Sequence, residues 1–188
     1  MMIEEETQNS NTKQEQVSVN NQNDNETQVN NQCVKYLTFL SSGEVYGAEV
    51  NSIKEIIEYG NITRVPLTPQ YLRGVINLRG NVVPVVDLAV RLGKTENDIG
   101  KRTSIIIVEM KSSDEEIMDI GFVVDEVEEV LDISSDLVTA APQFGTEIRA
   151  DFIFGMVQLK NKFVILLQLH EVLSIVELAA LVDLENAD

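Results

Sequence analysis

The stretch of sequence that decides the fold is GVINLRGNVVPVVDL, residues 74–88. β-Branched residues stand on both sides of a polar turn at residues 77–81, and this arrangement predicts a β-hairpin. Gly80 can take a positive φ without steric cost, so it is the natural turn residue. Pro84 cannot donate to a ladder, which predicts a sheet edge or a bulge at that position. Arg79 stands at the predicted tip, where it projects a fixed cation from an otherwise apolar stretch.

The residues before and after this hairpin alternate between short apolar runs and turns. Residues 34–40 and 44–49 predict two strands joined by a Ser-Ser-Gly turn. Apolar residues at 50, 53, 56 and 57 fall at helical spacing, so residues 50–57 predict a short amphipathic helix. A further strand is predicted at residues 62–65, then a helical turn over residues 68–72 that opens on a proline. A short helix is predicted to run to Leu92.

The second half of the sequence repeats the first half. Residues 47–57 match residues 121–131, and residues 74–88 match residues 155–169 without a gap. We infer an internal duplication of a β-rich unit of roughly 60–70 residues, a period too long for a solenoid. Two small units of short strands predict two similar barrels with a shared core, because neither unit alone buries much apolar surface. The apolar spacing in residues 170–184 predicts a C-terminal helix.

The composition is strongly acidic, with 31 Asp and Glu against 14 Lys and Arg in 188 residues. A net charge of −17 opposes binding to nucleic acid and to anionic lipid, which both depend on Lys and Arg. No apolar run reaches the ~20 residues that span a bilayer. The amino terminus MMIEEE lacks the features of a secretory signal, and the single Cys33 fits a reducing compartment. We therefore expect a cytoplasmic protein without direct membrane insertion.

The same composition predicts the domain organisation. Residues 1–32 are acidic and rich in Asn and Gln and contain no Leu, Phe or Tyr, so they predict a disordered tail. Residues 33–177 predict one domain, with lobe one at about 34–92 and lobe two at about 103–176. A polar, turn-rich linker joins the lobes, and residues 178–188 complete the C-terminal helix and a tail.

The sequence carries no motif for catalysis, metal binding or a cofactor. His170 is the only histidine, and no Ser or Cys motif stands beside it, so a surface or capping role is expected. Asp87 precedes the short predicted helix and is interpreted as its N-cap. The acidic residues 114–116 lack the spacing of a calcium loop, and no glycine-rich phosphate loop is present. We therefore expect a protein that is not an enzyme and holds no cofactor.

The stretch VPLTPQYLRGVINLRGNVVPVVDL, with VYGAEVNSIKEII upstream, resembles the CheW family of chemotaxis coupling proteins. The resemblance runs from about residue 36 to about residue 176. It implies a mainly β fold of two SH3-like five-stranded β-barrel lobes that exchange strands around a common core, with short helices and a C-terminal helix. It also implies a non-enzymatic scaffold that couples methyl-accepting chemotaxis receptors to the histidine kinase CheA. Such a protein is cytoplasmic and is recruited to receptor arrays at the membrane.

The resemblance also assigns two sets of contact residues. It implies contacts with the regulatory domain of the kinase, which has the same fold, at Ile53, Glu55, Arg73 and Gly74. It implies contacts with the helical hairpin tip of the receptor in the groove between the lobes, at Arg79 and Val130. By pattern alone, Ile53 is a core residue and Arg79 a solvated turn residue, so both interpretations stay open.

Two other hypotheses remain beside the adaptor. A coupling protein that also carries a phospho-receiver domain needs about 100–150 further residues with an acidic pocket, whereas the sequence ends at Asp188. A small-barrel oligonucleotide binder needs a basic groove with aromatic platforms. The second half of the sequence shows no such stretch, and a salt-dependent nucleic-acid binding assay separates this hypothesis from the adaptor.

Overall fold

The computed structural model describes residues 32–96, 98–111, 117–140, 148–159, 161–174, 176–178 and 180. Within these residues the chain forms ten strands: β1 Cys33–Ser41, β2 Glu44–Glu49, β3 Ile53–Glu58, β4 Leu72–Leu78, β5 Asn81–Asp87, β6 Ser104–Lys111, β7 Ile117–Val124, β8 Glu126–Ser134, β9 Ile153–Leu159 and β10 Lys162–Leu167. One short α-helix, α1, spans Leu88–Arg91. Single 3-10 turns occur at Val50–Ser52, Ser135–Leu137, Ala150–Phe152 and Leu169–Glu171. The predicted tail, residues 1–32, lies outside the described residues except for Gln32.

The strands form two five-stranded sheets. Sheet A has the order β8-β1-β2-β10-β9, and sheet B has the order β3-β6-β7-β5-β4. Each sheet takes strands from both halves of the sequence, so the halves exchange strands. The mainly β class and the five-stranded units are confirmed. The two barrels are not, because the strand order of each sheet is open and no ladder joins its first and last strands among the described residues. The lobe boundaries stay a prediction.

The two sheets are related by the internal duplication. Replacing each of β1–β5 by its counterpart in β6–β10, and the reverse, converts the strand order of sheet A into that of sheet B. The parallel pairings that link the halves obey the same relation, since Val85 pairs with Gly121 and Leu166 pairs with Gly47. In the gapless register inferred from the sequence, Leu166 is the counterpart of Val85 and Gly121 is the counterpart of Gly47. The two parallel pairings agree with this register.

The central hairpin is present as predicted. Strands β4 and β5 pair antiparallel and are joined by the two-residue turn Arg79-Gly80, with φ of 55° and 94°. Two consecutive positive φ values are typical of the type I′ turn, whose twist suits a hairpin. The side-chain oxygen of Asn77 accepts the N–H of Gly80 at 3.0 Å and closes the turn. Pro84 was predicted at a sheet edge or a bulge. The edge is wrong, because β5 lies inside sheet B. A register shift between Leu72 and Gly74 lies close to Val75, the partner of Pro84, and the ladder to β7 begins only at Val85.

The helix predicted over residues 50–57 is also wrong. A 3-10 turn at Val50–Ser52 is followed by strand β3, in which partly buried and exposed side chains alternate. The apolar residues satisfied a helical spacing, but β-branched isoleucines favour a strand when a partner is available, and β6 supplies that partner. The predicted strand at residues 62–65 is reduced to one bridge between Thr63 and Val75. Residues 68–72 form a turn and the first residue of β4 rather than a helical turn.

The two sheets share one core, as predicted from the small size of each repeated unit. Buried side chains from both sheets form one large cluster that includes Phe39, Tyr46, Ile106, Ile120 and Phe122. Burial and the carboxylate of Glu44, which accepts the Tyr46 hydroxyl at 2.7 Å, raise the pKa of Tyr46 far above its usual value. A phenol that stays neutral at every physiological pH is compatible with this core.

The C-terminal segment is fastened to the core through Arg91. Its guanidinium lies over the rings of Tyr71 and Phe152, at 5.1 and 5.2 Å from their centroids. It donates to the carbonyl of Val172 at 2.7 Å and to Glu177 at 2.9 Å. Burial alone would raise the pKa of Glu177, but hydrogen bonds from the Ser174 backbone and hydroxyl and the charge of Arg91 hold it below its usual value. Of the predicted C-terminal helix, residues 176–178 and 180 are helical; residues 175, 179 and 181–184 lie outside the described residues.

Candidate functional site

The tip of the central hairpin reaches the edge strand β3. An Nη of Arg79 lies 2.8 Å from an Oε of Glu55, and the two side chains are 76% and 21% exposed. Arg79 was predicted to contact the receptor and Glu55 to contact the kinase, so the structure brings one residue of each set into contact. An ion pair this exposed contributes at most about 1 kcal/mol to stability, which leaves both side chains free to exchange this contact for one with a partner.

Strand β3 presents two isoleucines that differ in their burial. Ile53 is partly buried and packs on the shared core. This packing agrees with the interpretation of Ile53 as a core residue. Ile56 pairs with Ile106 of the same core and is 43% exposed on the edge strand. The sequence analysis did not single out Ile56. A register shift between Ile53 and Glu55 interrupts the alternation of β3, so periodicity alone does not distinguish the exposed Ile56 from its neighbours.

Arg73 takes part in an ion pair inside the protein, and its side chain is 11% exposed; its predicted contact with the kinase stays a prediction. Its Nε and an Nη lie 2.8 and 2.6 Å from one carboxylate oxygen of Asp87, whose side chain is only 1% exposed. A second Nη of Arg73 contacts Glu96. The other oxygen of Asp87 accepts the N–H of Val90 at 3.1 Å, which confirms Asp87 as the N-cap of α1. The pair therefore connects β4, β5 and the start of α1.

Gly74 is buried in β4 and is required by the close approach of two backbone segments. Its φ is +141°, and a Cβ built on it would lie 2.2 Å from the carbonyl oxygen of Thr63. That carbonyl accepts the N–H of Val75 at 2.8 Å. The duplication repeats the arrangement at Gly155, where a Cβ would lie 2.9 Å from the carbonyl oxygen of Thr139. The predicted kinase contact at Gly74 thus falls on a residue that the backbone itself requires.

Val130 is 51% exposed on β8, the edge strand of sheet A. The duplication makes Val130 the counterpart of Ile56, so both edge strands present an exposed apolar residue at the same position. Arg79 belongs to sheet B, so the two residues predicted to contact the receptor lie on different sheets. Their role as a common receptor surface stays a prediction.

The described residues contain no group of three or more side chains that could hold a metal ion. His170 is exposed and lies 3.5 Å from Glu171 at the C-terminal end of a single 3-10 turn. The described residues also contain no helix that is long and apolar enough to cross a membrane.

Comparison with known proteins identifies the family. A family model described as the CheW-like domain matches residues 35–177, about three quarters of the chain. The chain belongs to the CheW family. The chemotaxis protein CheW of Klebsiella aerogenes is 31% identical over 145 residues, covering 77% of this chain and 84% of the relative. The CheW of Thermotoga maritima is 33% identical over 140 residues, covering 73% and 85%.

A solved structure supports the same assignment. The crystal structure of the scaffolding protein TtCheW from Thermoanaerobacter tengcongensis superposes with a TM-score of 0.68 at 31% identity, covering 76% of this chain and 89% of TtCheW. Like other CheW proteins, this chain is a non-enzymatic chemotaxis scaffold that couples receptors to the kinase CheA. The CheW assignment replaces the oligonucleotide-binding hypothesis.

Proposed function

We propose that this scaffold binds the regulatory domain of CheA at the β3 side of sheet B and the cytoplasmic tip of a methyl-accepting receptor through Arg79 and Val130. It acts in the cytoplasm and is recruited to receptor arrays at the membrane. The observation that carries the proposal is the 2.8 Å contact between Arg79 and Glu55. One residue from each predicted surface takes part in it, which supports adjacent kinase and receptor surfaces at this point of sheet B.

The contact gives the scaffold a direct means of coupling. A receptor that engages the Arg79 guanidinium removes the partner of Glu55 and leaves that carboxylate available to the kinase. An Arg guanidinium makes several directed hydrogen bonds to carbonyls and carboxylates, as the end of a helical hairpin offers. Because the pair is solvated, the exchange costs little folding free energy.

Exchanging the charges of this pair tests the receptor part of the proposal. We expect Arg79→Lys and Arg79→Glu to reduce receptor-stimulated kinase activity while the melting temperature changes by no more than about 4 °C. The combination Arg79→Glu with Glu55→Arg restores an ion pair but leaves no cation at the tip, so receptor coupling should stay low. Full recovery in the combined variant would show that the ion pair, and not a cation at the tip, is what the receptor requires.

Ile56 provides the cleaner test of the kinase part. Ile56→Asp places a charge on an exposed edge-strand position, so it should weaken CheA binding by about tenfold or more through desolvation of that charge and leave folding intact. Ile53→Asp should lower both binding and melting temperature, because Ile53 packs on the core. Val130→Asp is the matched control at the duplicated position. Equal loss of CheA binding in the Ile56 and Val130 variants would contradict a kinase surface confined to β3.

A further inference from the structure

Leu67 is the most exposed large apolar residue among those that the structure describes. Its relative exposure is 106%, against 79% for the next, Val176. Its φ is +62°, in the left-handed region that a branched side chain other than Asn or Asp rarely adopts. A sequence that needed only a turn at this position would be served better by Gly or Asn. Leu67 therefore combines an unfavourable backbone conformation with an apolar side chain directed into solvent.

The segment around Leu67 is held in place by its neighbours. Thr63 and Val75 exchange two backbone hydrogen bonds of 2.8 Å on one side of the turn. The hydroxyl of Thr68 donates to the carbonyl of Val65 at 2.9 Å. Pro66 fixes the backbone directly before Leu67. Backbone strain that is maintained by surrounding contacts is typical of functional positions, and a backbone segment fixed in advance loses little entropy on binding.

The charges near Leu67 differ from those of the rest of the molecule. Residues 59–74 contain no Asp or Glu, although the chain carries a net charge of −17. Arg64 is exposed three residues before Leu67. Residues of the turn line one surface cavity together with Arg73 and Glu96, and Glu96 contacts Arg73. The turn therefore borders a residue predicted to contact the kinase, and Arg64 is the cation of this surface that faces a partner. The complementary partner surface is an apolar socket flanked by carboxylates.

We propose that Leu67 is an apolar anchor and specificity determinant of the kinase interface, inserted into such a socket on CheA; this inference rests on the proposed function. The strained backbone conformation aims the side chain outward, and Arg64 pairs with the acidic rim of the socket. The turn shares a surface cavity with Arg73, a predicted kinase contact, and this continuity favours the kinase over the receptor as the partner of this surface.

The experiment separates the side chain from the backbone conformation. Leu67→Gly and Leu67→Asn both suit a positive φ and both remove the apolar side chain, whereas Leu67→Met keeps an apolar side chain. The control Ile99→Asn removes an apolar side chain that is 46% exposed in a different loop. Each full-length variant is titrated with full-length CheA from the same genome, and its melting temperature and sedimentation are measured alone.

We expect Leu67→Gly and Leu67→Asn to bind CheA about ten- to a hundredfold more weakly, as the loss of one buried leucine predicts. Their melting temperature should be unchanged or higher by about 2–4 °C, because the strain is relieved. Leu67→Met should bind within about threefold of wild type, and Ile99→Asn should behave as wild type.

Three results would overturn the inference. Wild-type binding of CheA by Leu67→Gly would reject the anchor while leaving the proposed function intact. Failure of the wild-type protein to bind CheA would reject both. Loss of self-association in the Leu67 variants, with CheA binding retained, would make a second copy of this chain the occupant.

Discussion

Arg73→Ala is expected to lower the melting temperature by about 6–20 °C. The change leaves the Asp87 carboxylate, whose side chain is 1% exposed, without the guanidinium that pairs with it. Removing one partner of a buried ion pair costs about 3–5 kcal/mol, and each kcal/mol corresponds to about 2–4 °C in a domain of this size. Thermal unfolding followed by circular dichroism measures the effect.

Two further variants make the result specific. Arg64→Ala removes an exposed arginine from the segment preceding β4 and should melt as wild type does. Arg73→Met combined with Asp87→Ser removes both charges but keeps a hydroxyl that can cap α1, so it should recover part of the loss. If Arg73→Ala melts normally and only kinase binding falls, Arg73 is a contact residue and the ion pair is unimportant for folding.

Gly74→Ala should be still more damaging. The added methyl group would lie 2.2 Å from the carbonyl oxygen of Thr63, and φ at this position is +141°. Neither the strand nor the bridging segment can move without losing the hydrogen bonds between Thr63 and Val75. A clash with backbone combined with a disfavoured φ belongs to the small class of substitutions that cost about 4 kcal/mol or more, so little folded protein should accumulate.

Gly43→Ala is the matched control for Gly74→Ala. Gly43 also has a positive φ, of +76°, but a Cβ built there meets no atom within 4 Å. The substitution Gly43→Ala should lower the free energy of unfolding by only about 1–2 kcal/mol, the cost of placing an alanine at a positive φ. Equal melting temperatures for the two variants would contradict the steric argument. Loss of kinase binding in a Gly74 variant has meaning only if the variant is shown to be folded.

The parts of the fold that sequence alone predicted are those with a local cause. The hairpin at Arg79-Gly80 follows from turn chemistry within five residues, and the N-cap at Asp87 follows from its position before α1. The duplicated register was readable because residues 74–88 and 155–169 repeat one apolar pattern. The turn and the cap are each specified within one short segment, and the register is specified by the direct comparison of two such segments.

The parts that sequence alone missed depend on distant partners. Residues 53–57 carry isoleucines that satisfy two periodicities, and only pairing with β6, about 50 residues later, selects the strand. Arg73 and Arg79 had the same appearance in the sequence, yet topology gives one a buried carboxylate and the other a solvated one. The left-handed conformation of Leu67 has no local signal, since leucine ordinarily avoids it.

Strand exchange between the halves has a consequence during synthesis on the ribosome. β2 cannot pair with its parallel partner β10 until about 120 further residues have been synthesised, and β1 cannot pair with β8 until about 90 further residues have been synthesised. At about 5–20 residues per second, β2 stays without that neighbour for roughly 6–24 s. During this interval the apolar face of the β1–β2 pair is exposed on the nascent chain. We expect the newly made protein to depend on chaperones until β10 emerges, and a chain truncated before β10 to aggregate rather than form a stable half.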